Sequence, residues 1–191
     1  MCCLFAVCVN SGNILYCDVN MLMGGDVNAN TLRLAGVIVE ALKDTALRPF
    51  AIRAAADRWD ELDPALLPLI TASAAGSDDP RTKLELAVAI ARFGKADHAQ
   101  PVVAMLADED QIVRHTAIQS LIKLKAGAAC LDLLDRSDSA APRAGALRAL
   151  QGIHDASVVD GLIARLNKET IAERRRGMLV ALCRLHFVEG I

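Results

Sequence analysis

From residue 28 onward the chain repeats one pattern of apolar and polar positions. A basic residue stands near the start of every second apolar segment: Arg48, Lys83, Arg114, Arg143 and Arg175, spaced by 35, 31, 29 and 32 residues. Three positions after these anchors come Ala51, Leu86, Ala117, Ala146 and Met178, and four after come Ile52, Ala87, Ile118, Leu147 and Leu179. Seven after come Ala55, Ile90, Leu121, Leu150 and Leu182. Ten after, Phe93, Leu124, Ile153 and Leu185 are apolar, with Arg58 the exception. Such offsets trace the buried stripe of an α-helix. One stripe per unit of about 30 residues signals stacked repeats, because a single unit cannot bury its own apolar face.

Each gap between anchors holds room for one more helix, expected near 30–43, 64–75, 98–107, 128–135 and 157–166, the third being short. The pattern therefore predicts an all-α, right-handed α-solenoid of about five antiparallel helix pairs over residues 28–191. Residues 1–27 form a separate, non-repeat segment. There, two apolar runs flank "NSGN", which reads as a β-hairpin and as the tail of a preceding domain.

Turn chemistry agrees with this division. Asp63-Pro64 and Asp79-Pro80 place a capping carboxylate before a proline in the first turn, where a missing N–H costs nothing. Pro49, Pro101 and Pro142 also fall in first turns. Pro68 requires either that its helix begins near Leu66 or that the helix kinks. Gly94 and Gly127 are expected to end helices. Asp44, Asp79 and Asp110 each precede a basic anchor by four residues, a spacing that puts both charges on one helix face and the acid at the N-terminal end. Trp59 closes the first anchored helix and is expected to pack in the turn against the following pair, with a partner contact as the alternative.

Composition narrows the chemistry. Hydrophobic residues make up 53% and aromatics 3% of 191 residues, so Ala, Leu, Val and Ile dominate, as in tightly packed helix pairs. The net charge is −2, too weak a field to draw the chain to nucleic acid or an anionic membrane. No nucleic-acid partner and no membrane insertion are expected. Of six cysteines, Cys2, Cys3, Cys8 and Cys17 crowd the start, while Cys130 and Cys183 sit inside helical patterns. They read as buried or adventitious free thiols rather than a disulfide framework. No basic region precedes "MCCLFAVCV", so the localisation as written is cytoplasmic by default.

Catalytic signatures are missing. His98, His115, His154 and His186 fall in four different units. Cys183 and His186 share the last helix, but two ligands do not make a metal site. The serines lack a G-x-S-x-G elbow, and "MLMGGDVNAN" lacks the spacing that cradles phosphate. No cofactor, metal or enzymatic activity is expected. The one dense basic cluster, "ERRRG" at 173–177, stands with Arg165, Lys168 and Arg184 near the end. It reads either as a solvated helix start or as a patch for an anionic partner.

The best copy of the unit, "DQIVRHTAIQSL" (Asp110–Leu121), resembles the short HEAT-like repeats of bacterial proteins, whose second helix begins D-x-x-V-R-x-x-A-[IL]-x-x-L. "APRAGALRAL" is a good copy; "DPRTKLELAVAI" and "AERRRGMLVAL" are looser. The resemblance implies an armadillo-like scaffold that presents a concave helical surface to a protein partner. The exposed second-helix positions in the best copy, His115, Gln119 and Lys123, are the candidate contacts. A second resemblance, carried by "LCRLHFVEG", is to the HEAT-like region of large bacterial haem-binding, dehydrogenase-like proteins. It implies a fragment of an exported multidomain enzyme whose catalytic and haem domains lie outside this chain. No C-x-x-C-H motif is present, so no haem is assigned here. A third resemblance, to chromophore-lyase-like helpers with HEAT-like repeats, is attached to no particular residue.

Overall fold

The computed structural model describes residues 5–10, 13–18 and 27–186, with side chains from Thr31 onward. Strand β1 (Phe5–Asn10) pairs antiparallel with β2 (Asn13–Asp18), Val7 opposite Tyr16 and Cys8 opposite Leu15. The two residues joining them, the link 19–26 with its glycines, and Cys2 and Cys3 lie outside the described residues, as does the end of "LCRLHFVEG".

Among the described residues, ten α-helices follow in five antiparallel pairs: α1 (Val27–Ala41) with α2 (Arg48–Asp57), α3 (Leu66–Ala74) with α4 (Pro80–Phe93), and α5 (Gln100–Ala104) with α6 (Gln111–Lys123). The last two are α7 (Gly127–Arg136) with α8 (Ala140–Leu150), and α9 (Ala156–Leu166) with α10 (Ala172–His186). The stack is an α-solenoid. Helix α5 is a short one, extended at either side by 3₁₀ turns at Ala96–His98 and Met105–Ala107. Helix α3 starts at Leu66, which leaves Pro68 in its first turn, where it breaks no hydrogen bond.

The core runs the length of the stack. Ile52, Ile70, Ile90, Leu106, Leu121, Leu150 and Leu162 are almost fully buried, each stabilising by about 1.5–3 kcal/mol relative to an exposed side chain. The positions three after each anchor are all buried. Those four after are less uniform: Ile52 and Ala87 are buried, but Leu179 is 47% exposed. This position faces the next unit along the stack, and no described helix follows α10 to cover it. Trp59 departs from expectation too. It is 48% exposed rather than packed in its turn.

The anchors act differently from their spacing. Asp79 caps α4, accepting from the backbone of Arg81 and Thr82 and from the Thr82 hydroxyl at 2.6 Å. Asp110 caps α6 through Ile112 and Val113. Asp44 accepts from the Ala46 N–H at 2.8 Å in the turn before α2. None of these carboxylates pairs with the anchor four residues on. Instead the arginines reach back to the end of the preceding helix and donate to carbonyls that the helix leaves unsatisfied. Arg48 bonds Leu42 O at 3.1 Å, Arg114 bonds Asp108 O at 2.6 Å, and Arg175 bonds Leu166 O at 2.7 Å and Glu169 O at 2.8 Å. Arg143 bonds the Leu134 and Ser137 carbonyls. Each arginine thus ties the two helices of its own pair. The anchor of the second unit is a lysine, and its ammonium crosses instead to Asp108 of the third unit, at 2.7 Å.

Neighbouring units also meet where a side chain is missing. A Cβ on Gly161 would lie 2.5 Å from Leu131 Cδ1, and one on Gly177 would lie 2.8 Å from Leu147 Cδ1. Glycine at these points lets α9 and α10 settle onto the preceding pair. Gly94 does terminate α4. Gly127, expected to end a helix, instead begins α7. The residue that ends α6 is Lys125, at φ 52°. Its N–H bonds Ile122 O and the Ala126 N–H bonds Leu121 O, both at 3.0 Å. This is the paired bonding of a Schellman stop, built on a residue with a Cβ.

Two outcomes follow for stability. Left-handed backbone costs an L-residue about 1 kcal/mol that glycine does not pay, so Lys125→Gly should raise stability by about that amount, read as a higher Tm in thermal unfolding. An unchanged or lower Tm would contradict the reading. Hydrogen bonding from Lys83 holds the Asp108 carboxyl below its ordinary value. A depressed acid stabilises above its unfolded pKa and loses that contribution as pH falls through its folded value. Asp108→Asn should therefore cost about 1 kcal/mol at neutral pH and flatten the loss of stability below about pH 4. Parallel pH profiles for the variant and the unmodified protein would refute this.

Candidate partner-binding surface

The second helices pack on one another in succession, α2 on α4, α4 on α6, α6 on α8 and α8 on α10, and leave one face of each open. His115, Gln119 and Lys123 all lie on the open face of α6, one helical turn apart, and all three are exposed. They form one row, with Ile112 (63% exposed) beside its start.

Toward the N-terminal end, the open face is neutralised by its own charges. The Arg81 guanidinium stacks over the Phe50 ring, 4.2 Å from its centroid, a cation–π contact between α4 and α2. Asp57 accepts from Arg53 at 2.8 Å and pairs with Arg92 at 2.6 Å, and Arg53 stands 3.6 Å from Glu85. Burial pushes the Asp57 carboxyl up, but the hydrogen bonds from Arg53 and Arg92 outweigh it and leave the pKa lowered. Burial raises that of Glu85, against the pull of Arg53 and Arg81. Hydrogen bonding to Asp57 raises that of Arg53. These charges hold the first two units together and leave little field for a ligand.

The C-terminal end differs. The "ERRRG" cluster separates into three roles. Arg174 pairs with Asp138 at 2.6 Å and approaches Glu169, while Arg175 is consumed by the carbonyls described above. Arg176 alone turns to the open face, where it lines a groove of about 360 Å³ between α8 and α10 with Arg148, Arg184, Glu173, Leu147 and Val180. Arg148, Arg176 and Arg184 are exposed, and none makes a hydrogen bond or ion pair among the described residues. Sequence reasoning passed over Arg148. A signal existed: it stands five positions after its anchor, in the same column as Gln119 and Val180.

Arg165 and Lys168 lie elsewhere, at a second hollow of about 380 Å³ bordered by Leu134, Arg143 and Met178. Its charges are largely spent on each other. Arg165 bonds Asp135 at 2.9 Å, and Arg143, 7% exposed, stands 3.9 Å from Glu169. Burial, and then Arg174 nearby, lower the Arg143 pKa. This hollow is a strut between the last two units.

Among the described residues, no group of three or more His, Cys, Asp or Glu is placed to hold a metal, and no helix is long and apolar enough to cross a membrane. Cys130 is buried, with its thiol pKa pushed up to about 12 by desolvation; Cys183 is exposed.

Comparison with known proteins finds two matches to report. A family model for HEAT repeats matches residues 36–122, from α1 through nearly all of α6. A solved structure, the designed armadillo repeat protein YIII(Dq)4CqI, matches at 17% identity, covering 87% of this chain and 90% of that one, with a TM-score of 0.35. No match is found among curated proteins. Residues 36–122 are thus similar to HEAT repeats. The matched span stops before α7, yet α7 to α10 continue the same pair geometry and the same arginine-to-carbonyl tie.

Thiol chemistry gives a direct check on the placement of this last helix. Because the thiolate is the reacting form, iodoacetamide should modify Cys183 readily in the native protein and leave Cys130 intact until denaturant is added. Peptide mapping by mass spectrometry would show it, and early modification of Cys130 would contradict the packing of α7.

Proposed function

We propose that this protein is a non-enzymatic interaction module that holds a protein partner along the open face of its second helices. The observation that carries the reading is the asymmetry of the two layers. Over the first four units, consecutive second helices pack more extensively on one another than consecutive first helices do, and in the last two units the layers are even. In a curved stack, the layer with the closer spacing lies on the inside, and the inner surface of such arrays is the usual place for a partner. Repeat stacks of this kind are typically non-catalytic, and the exposed row of His115, Gln119 and Lys123 sits in the middle of that layer. Residues 28–191 would act as one binding unit, with the N-terminal hairpin outside it.

Site-specific crosslinking tests this. A photoreactive residue in place of Gln119, on the second-helix layer, should yield one discrete protein adduct in cell extract. The same residue in place of Leu69, half-exposed on the first-helix layer, should yield none. Equal adducts from both positions, or none from Gln119 and from its neighbours His115 and Lys123, would sink the proposal.

A further inference from the structure

We infer that the groove between α8 and α10 docks an acidic, Asp- or Glu-rich segment of the protein partner; this rests on the interaction-module reading above. Charge points to it first. The chain as a whole carries a net charge of −2, yet the groove presents Arg148, Arg176 and Arg184 against the single carboxylate of Glu173. Elsewhere on the described surface, Arg33 on α1 apart, arginines are engaged: Arg53 and Arg92 in the α2–α4 network, Arg165 and Arg174 with aspartates, and Arg114, Arg143 and Arg175 with carbonyls. Three arginines left without partners on one groove are therefore a local departure from how the rest of the molecule treats the same side chain. Guanidinium groups favour carboxylates through paired, parallel hydrogen bonds.

Spacing and lining favour an extended peptide. Arg176 and Arg184 are two turns apart on one face of α10, about 12 Å along its axis. About four residues of extended chain cover that distance, so carboxylates four residues apart on the partner would meet both. Arg148 of α8 faces them from the opposite wall. The wall between is apolar, formed by Leu147 and Val180, the latter 45% exposed. Gly177, whose Cβ would collide with Leu147, keeps the floor open beside them. An acidic segment with an apolar residue between its carboxylates fits this arrangement. A nucleic-acid strand fits less well, because no aromatic side chain lines the groove for bases to stack on.

The test uses a fluorescein-labelled oligoglutamate peptide and the full chain, read by fluorescence anisotropy. The peptide should bind with an affinity that falls as sodium chloride is raised. Reversing Arg148→Glu together with Arg184→Glu should weaken binding by about tenfold or more. The control Arg33→Glu, on exposed and unpaired α1 surface, should change it little. If the double reversal fails to fold, judged by thermal unfolding, Arg148→Gln with Arg184→Gln removes the charges without adding opposing ones and should also weaken binding. Equal peptide binding by the unmodified protein and a folded variant would overturn the inference. So would tighter binding of an oligothymidylate of matched charge, or a self-association of the chain, seen by sedimentation, that occupies the groove and excludes the peptide. Discrete crosslinking from Gln119 without any oligoglutamate binding would overturn the acidic occupant alone and leave the interaction module standing.

Discussion

The close approach of consecutive second helices is the constraint on which the rest of this molecule depends. It is made possible by alanine. Ala55 and Ala56 on α2, Ala87 and Ala89 on α4, Ala117 on α6, Ala146 and Ala149 on α8, and Ala181 on α10 are all inaccessible to solvent. A methyl group at these points lets one backbone settle against the next, where a leucine would hold them apart. The larger side chains, Ile52, Ile90, Leu121 and Leu150 among them, fill the same continuous core. Consecutive second helices thereby lie directly against one another, and a row of residues on each is left facing outward. The architecture and the candidate surface have the same cause.

Charge is distributed around that frame by an economy of partners. Buried or half-buried arginines satisfy helix-end carbonyls that would otherwise be stranded, which is how four of the five pairs close without many side-chain caps. Crossing ion pairs then tie unit to unit: Arg92 to Asp57, Lys83 to Asp108, Arg165 to Asp135 and Arg174 to Asp138. Most are partly exposed, so each contributes modestly, and their effect is on register more than on overall stability. Between the third and fourth units no ion pair links the described residues, and packing of α8 against α6 and Leu106 does that task instead. The unpaired arginines of the α8–α10 groove stand out because, among the described residues, the rest of the frame leaves so few arginines without a partner.

Much of the fold was legible in the chain. A recurring stripe at fixed offsets from a basic residue identified five pairs, located every second helix within a few residues, and singled out the short fifth helix. Local chemistry did this, since helix periodicity and capping depend on residues close in sequence. The errors share a different origin. Lys125 ends α6 where Gly127 was expected, because the stop depends on a backbone conformation that glycine favours but does not monopolise. Trp59 and Leu179 are exposed because burial at a unit's edge depends on what the next unit presents. The carboxylates at the anchor-minus-four positions bond backbone instead of pairing, Asp79 and Asp110 as helix caps and Asp44 in the turn before α2, because nearby N–H groups lie closer than a long side chain one turn on.

The candidate surface divides along the same line. His115, Gln119 and Lys123 could be placed on one exposed row from spacing alone, since residues four apart share a helix face. Which of the arginines near the end of the chain remain free could not be read that way. Arg174, Arg175 and Arg176 are consecutive and chemically identical, yet one meets a loop aspartate, one meets carbonyls and one meets open space. By itself, then, the sequence determined the repeat, its helix pairs and the exposed row, all of which follow from periodicity within a helix. Only the tertiary structure decided which charges are spent and which are left over, because a charge is neutralised by whatever the fold brings within about 4 Å of it, and that neighbour is as often 30 residues away as four.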